Sequence, residues 1–281
     1  MLRDDSIIEL GQWLRTPAGQ YLLAWEQDRL DHAVADVFGY HAVQLGLPEV
    51  DGLRANRMPH RWVAAESLMV PEPVPMPPPT DGLITTQSPD VPVALHCEFD
   101  ALPFPNQSLD LVVLPHSLEL ARDPHLTLSE VERVLVPEGR VMILGINPSS
   151  LWGWRQKLSR GGERLGMETS ARAFLPTGGE LLGYRRLRDW LRLLSFEVEG
   201  GRFGCYRPPY SSQRWLDRTA WMERHGERWW PVLGAVYFLV AVKRVRGMRL
   251  VGLVRKEARR AQSRQAVVAN RQREMKEEAA R

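Results

Sequence analysis

The stretch "FDALPFPNQSLDLVVLPHSLEL", Phe99 to Leu120, decides how this chain is read. An acidic turn at Asp100 leads through a proline-marked loop into the apolar run Leu109 to Pro115, which reads as a strand. Downstream, "PHLTLSEVERVLVPEG" reads as a helix ending at Pro137 and Gly139, and "RVMILGIN" as a further strand. Upstream, "HAVQLGL" (from His41), "RWVAAES" (from Arg61) and "VPVALHCEF" (from Val91) supply three more strands. A helix between Pro17 and Gly39 precedes them, with Leu22, Leu23, Trp25, Leu30, Val34, Val37 and Phe38 at roughly helical spacing. Short apolar strands alternating with helices indicate an α/β domain with a mostly parallel sheet and helices on both faces.

Between the second and third strands, "VPEPVPMPPPTDG" holds six prolines from Pro71 to Pro79, a density that no helix survives. The C-terminal half changes character. "LWGWRQKL" reads as a short helix, and "ELLGYRRLRDWLRLLSF" as a strongly amphipathic one with Leu187 and Leu191 on its apolar face. "FEVEGGRFGCYRP" reads as a strand, a Trp-rich helix follows, and Val232 to Val242 closes the series as an antiparallel strand in an edge hairpin. Three parts result: an N-terminal helical segment over 1–40, an α/β domain over 41–245 and a basic tail over 246–281.

Charge sharpens that division. The net charge of +3 conceals twelve Lys/Arg against four Asp/Glu from Arg244 onward, so residues 1–243 carry −5. An acidic domain excludes a broad basic groove and leaves the tail as the one electrostatic footprint for nucleic acid. Two readings of the tail stand side by side: a solvated or disordered segment, or an arm making weak nucleic-acid or membrane-surface contact. The N-terminus "MLRDDSIIEL" has no apolar signal core, and the run from Val232 is too short to span a bilayer. Cys97 and Cys205 have no metal-ligand spacing. The expectation is a cytoplasmic protein with reduced thiols, no membrane span and no metal.

The Phe99–Leu120 stretch, continued by "LSEVERVLVPEGRVMILGINP", resembles the middle of the class I S-adenosylmethionine-dependent methyltransferases of the type-11 group. Asp100 to Phe104, Leu109 to Val112 and Arg133 to Gly139 follow that group's pattern, with Glu138 in place of the first of two glycines. The resemblance implies a Rossmann-like class I methyltransferase fold and S-adenosyl-L-methionine as cofactor. It implies that Asp100, with Ala101 and Leu102, meets the adenine, that Glu66 takes the ribose hydroxyls and that His116 lines the methyl-transfer end. The group's glycine-rich first motif falls on Gln44, Gly46, Pro48 and Val50, so Gln44 replaces an acidic residue and only Gly46 survives of three glycines.

Methyl transfer from a sulfonium needs alignment and exclusion of water more than acid–base machinery, so His116 is a candidate rather than a required base. Trp152 and Trp154, in "NPSSLWGWR", stand where acceptor contacts or lid packing are expected. The leading functional reading is a methyltransferase acting on a small-molecule or macromolecular acceptor that the sequence does not name. The alternative is a non-catalytic methyltransferase-like binding module. A third reading makes the chain an RNA-binding factor working through its tail.

Overall fold

The long helix ahead of the first strand shows how local signals set its limits. Thr16 accepts a hydrogen bond from the Gly19 N–H at 3.2 Å, Pro17 follows it, and α1 runs Pro17–Ala35. Leu22, Leu30 and Val34 lie on one buried row four residues apart, and the row includes Glu26, also fully buried. The computed structural model describes residues 10–66, 93–164, 174–175, 181–210 and 212–244, all within one unit of the chain, residues 1–244. The proline-rich segment and the basic tail lie outside the described residues.

Seven strands form one sheet: β1 (His41–Leu45), β2 (His60–Ala65), β3 (Leu95–His96), β4 (Leu109–Pro115), β5 (Leu135–Ile146), β6 (Phe196–Gly204) and β7 (Val236–Lys243). Their spatial order is β3-β2-β1-β4-β5-β7-β6. Pairs among β1 to β5 are parallel; β7 runs antiparallel to both β5 and β6. The central strands are buried on both faces, which is why they read as near-continuous apolar runs. On one face, α1 and Trp152 of α4 (Leu151–Arg164) pack over Ala42, Leu111 and Val113. On the other, α3 (Pro124–Val134) and α5 (Tyr184–Leu193) pack over Val43, Val112 and Val141; the short α2 (Ser117–Leu120) follows β4. Helices thus lie on both faces of a Rossmann-like sheet. Among the described residues no helix is long and apolar enough to cross a membrane.

Several element limits differ from the sequence reading. The helix expected to reach Pro137 and Gly139 ends at Val134, because Leu135 already pairs with Leu109 and the ladder then bulges before resuming at Arg140. Glu138, at the missing glycine's position, adopts φ +65°, a left-handed conformation that glycine reaches without steric cost. The Arg244 guanidinium pairs with its carboxylate. The single Trp-rich helix is two, α6 (Gln213–Arg218) and α7 (Trp221–Trp229). The closing strand starts at Val236 instead of Val232. Asn147 Nδ2 donates to the Val232 and Gly234 carbonyls at 2.8 and 2.9 Å, so the chain is held in a turn there with Val232 and Leu233 exposed.

One buried cation ties the end of β7 to the junction of α3 and β5. Lys243 Nζ, at the end of β7, donates to the carbonyls of Glu132 and Leu135 (the latter at 2.9 Å), capping the C-terminus of α3. Burial pulls its pKa below the ordinary lysine value. Replacing it by methionine strands both carbonyls, and Lys243→Met is expected to lower stability by about 1.5–3 kcal/mol in denaturant melts.

Candidate functional site

The candidate residues fall at the carboxyl ends of the parallel strands, on either side of the gap between β1 and β4 where strand order reverses. Gln44 is the penultimate residue of β1 and fully buried. Its Nε2 donates to the carbonyls of Gly46, Leu47 and Val50 at 3.2, 2.9 and 2.7 Å, and its Oε1 accepts from the Gly52 N–H at 2.9 Å. The turn after β1 is therefore folded around the amide. No helix follows it; residues 52–55 form turns. Gly46 has φ +79° and donates its N–H to the Ala64 carbonyl at 2.7 Å. A side chain on Gly46 would meet Ser117 Oγ at 3.1 Å and the Phe99 ring at 3.5 Å, so the loops after β3 and β4 close over it.

The adenine and ribose candidates stand on neighbouring strands. Glu66 directly follows β2 and is nearly buried. Its charge, after burial itself, lifts the Cys97 thiol to a pKa of about 11. Asp100 is half-buried, Ala101 exposed and Leu102 buried. Arg133 explains why this loop and the end of α3 carry one joint motif. Its guanidinium donates to the carbonyls of Leu102 and Phe104, both at 2.9 Å, and to Asn106 Oδ1 at 2.7 Å. Glu130 accepts from Arg133 Nη2 at 2.8 Å and from the Leu102 N–H at 3.2 Å. The Arg133 hydrogen bond holds the Glu130 carboxyl below its usual range.

His116 follows β4 as expected but turns inward. It is fully buried with φ +54°, a strained backbone for a non-glycine residue. Its Nε2 lies 2.8 Å from Glu26 Oε1 and its Nδ1 lies 3.0 Å from Glu119 Oε2. Glu119 Oε1 also accepts the Ile146 N–H. Burial alone would lower the imidazole pKa, but the Glu26 charge and the hydrogen bonds to both carboxylates outweigh it and hold the pKa at about 10. Burial raises the Glu119 carboxyl. A histidine that keeps its proton between two carboxylates is no general base; it fixes the end of β4 against α1. Glu26 Oε2 is buried with no hydrogen-bond partner among the described residues. The polar groups continue through Tyr21, whose hydroxyl donates to Glu223, which also accepts the Cys205 and Tyr206 N–H groups at 3.1 Å.

Sequence reasoning passed over Glu26 and Glu119. The available signal was a carboxylate in an apolar row, since Glu26 sits four residues after Leu22 and four before Leu30. Trp152 is packing: it is buried, meets Trp13 and Phe174 edge-on and donates to the Arg207 carbonyl at 2.8 Å. Trp154 is exposed. A cavity of about 490 Å³ opens beside β2 between Asp51–Arg54 and Val93–Ala94, and none of the candidate cofactor residues lines it. Among the described residues, no group of three or more His, Cys, Asp or Glu side chains is arranged to hold a metal ion.

This sheet order, with its antiparallel β7 inserted beside β5, is that of the class I S-adenosylmethionine-dependent methyltransferases, and the chain belongs to that family. The type-11 methyltransferase domain matches residues 82–143. The uncharacterized protein YafS of Escherichia coli (strain K12) is 31% identical over 183 residues, covering 65% of this chain and 68% of YafS. A demethylmenaquinone methyltransferase of Chlamydia pneumoniae is 37% identical over 54 residues, 19% of this chain and 24% of its own length. Among solved structures, a chain of the Haloferax volcanii complex of the Trm112 methyltransferase activator with a methyltransferase superposes with TM-score 0.51 at 18% identity, covering 89% of this chain and 100% of that one. A Thermotoga maritima methyltransferase superposes equally, TM-score 0.51 at 11% identity, covering 87% and 100%. At these identities the two structures show the fold alone.

Two outcomes follow from this geometry. Gln44→Glu restores the acidic residue of the first motif but turns a carboxylate toward three carbonyl oxygens. It is expected to cost about 3–5 kcal/mol, roughly 10 °C in melting temperature, and more at about pH 8 than at about pH 5. For His116, a folded pKa near 10 against about 6.5 in the unfolded chain means its stabilisation is complete below about pH 6.5 and is lost as pH rises toward 10. The raised Glu119 carboxyl acts in the same direction from lower pH. Melting temperature should therefore fall between about pH 6.5 and pH 8, before cysteine and tyrosine ionise, and the slope should flatten in His116→Gln.

Proposed function

We propose that this chain binds S-adenosylmethionine across the carboxyl ends of β1 to β4 and transfers its methyl group to a nucleophilic acceptor. The observation that carries this reading is the shared rim. Glu66, Asp100 and the His116 cluster follow three strands of one parallel sheet, around the point where strand order reverses. Glu66 suits the ribose hydroxyls and Asp100 the adenine amino group. When bound, the cofactor supplies an electrophilic methyl on a positively charged sulfonium. Buried behind the strand ends, the two carboxylates around one imidazolium carry a net negative charge that would favour such a cation nearby. With His116 holding its proton, the chain's part in transfer is alignment and exclusion of water.

The methionine end fits less well. Gln44 carries no negative charge and is committed to the turn, Pro48 has no N–H, and Phe99 and Ser117 cover Gly46. That favours a second reading, in which the fold survives as a non-catalytic binding module. Calorimetry with S-adenosylmethionine, S-adenosylhomocysteine and adenosine separates the two. Under the enzyme reading all three bind, adenosine keeps an unusual share of the affinity, and Asp100→Ala weakens each by about 0.5–2 kcal/mol, roughly twofold to thirtyfold. Absence of binding for all three at millimolar concentration, in folded protein, gives the binding-module reading the field.

A further inference from the structure

The segment between β6 and β7 carries a surface that the cofactor rim does not use. β6 ends at Gly204, paired with Val236 at the start of β7, which itself pairs with Ile146 at the carboxyl end of β5. Everything from Cys205 to Ala235 therefore leaves from the same end of the sheet as the candidate site. Within it Trp215, Trp221, Trp229, Trp230, Val232 and Leu233 are all exposed, and Trp229 keeps 67% of its surface in solvent. Leu151, Trp154 and Leu158, at helical spacing on α4, are exposed as well. α4 is tied to the same segment through Trp152 Nε1 on the Arg207 carbonyl and Arg155 on the Pro209 carbonyl. This is far more apolar surface than an acidic, water-facing domain displays without use.

The charges around these side chains identify the occupant. Arg214, Arg218, Arg224 and Arg228 are exposed between the tryptophans, and none forms an ion pair among the described residues. The local acids are engaged: Glu223 by Tyr21 and two backbone N–H groups, Asp217 by Gln213 at 2.8 Å, and Glu227 by Arg202 at 3.8 Å. From Cys205 to Ala235 five arginines stand against three acids, an excess of +2 on a domain whose net charge is −5. A second copy meeting this surface about a two-fold axis would bring like charges together. A nucleic acid would stack on tryptophan and pair with arginine but has no use for exposed Val232, Leu233, Leu151 and Leu158. Tryptophan at the headgroup level, aliphatic side chains below it and arginine toward anionic headgroups suit the surface of a lipid bilayer.

We propose that the Trp- and Arg-rich β6–β7 segment, with the exposed stripe of α4, docks this protein on the surface of an anionic lipid bilayer. The contact is peripheral and brings the strand ends down to the lipid. Resting on the methyl-transfer reading above, the acceptor class that fits this placement is a nucleophile dissolved in the bilayer.

The test is cosedimentation of the full chain with vesicles of phosphatidylcholine alone and of phosphatidylcholine mixed with phosphatidylglycerol. Binding is expected to the mixed vesicles and not to the neutral ones. Trp229→Ser/Trp230→Ser should weaken it at least about tenfold with an unchanged melting temperature, since both side chains are solvent-facing. Replacing Arg214, Arg218, Arg224 and Arg228 by glutamine should do the same, with the basic tail intact in both variants. Three results overturn the proposal: no binding of the intact chain to anionic vesicles, binding undiminished in the tryptophan variant, or loss in that variant of self-association or RNA retardation without vesicle binding. S-adenosylhomocysteine calorimetry on the same samples reports separately, because a protein that docks on vesicles without binding it retains this surface and loses the methyl-transfer reading.

Discussion

An amide at the end of β1 is the constraint around which this molecule's site is arranged. A side-chain amide donates and accepts; a carboxylate at neutral pH only accepts. With Gln44 at this position, the turn can point three of its own carbonyl oxygens inward and still have a partner for each, and it can include a proline and a buried valine. The same turn folded around an acid would have to present N–H groups instead, and those are the groups that hold an anion or a ligand oxygen. The glutamine and the degenerate glycine positions are therefore one change rather than three. Its consequence reaches the next loops, since a turn that faces inward lets Phe99 and Ser117 settle against Gly46.

Much of this was legible because the sheet is buried on both faces. Strands that must be apolar throughout announce themselves, and β4 occupies the residues that its apolar run predicts. The acidic residues at strand ends were legible through motif spacing, and Arg133 supplies the physical reason for it: one guanidinium stitches the Leu102–Asn106 loop to α3, so the two segments are held in one arrangement. Local pattern failed where a distant partner decides. The end of α3 is set by the ladder with Leu109 and by Lys243, more than a hundred residues on, and the start of β7 by Asn147. Glu26 was hidden for the same reason: its row on α1 looked apolar, and only the fold brings His116 to it.

Six non-glycine residues among those described adopt positive φ, where most side chains are disfavoured: Leu47, Gln107, His116, Glu138, Ser195 and Cys205. Four of them are held by identifiable contacts: Leu47 by burial and the Gln44 bond to its carbonyl, His116 by two carboxylates, Glu138 by Arg244, and Cys205 by the Glu223 acceptor on its N–H. Leu47, His116 and Cys205 lie beyond strand ends on the candidate-site side; Gln107, Glu138 and Ser195 lie toward the other end of the sheet.

The polar groups on that side also form a sequence across the fold. Glu119 and His116 belong to the segment after β4, Glu26 and Tyr21 to α1, and Glu223 to α7 of the β6–β7 segment. The exposed tryptophans are carried by the last of these. α1 is thus clamped at two points, by His116 through Glu26 and by Glu223 through Tyr21, five residues apart along the helix and roughly 140° apart around it. A load on the tryptophan surface acts on α7, and α7 is fixed through Glu223 to the helix that also fixes His116. Surface and site are joined by two side chains of a single rigid helix, an arrangement that gives the β6–β7 segment a defined position relative to the strand ends and not merely a tether to them.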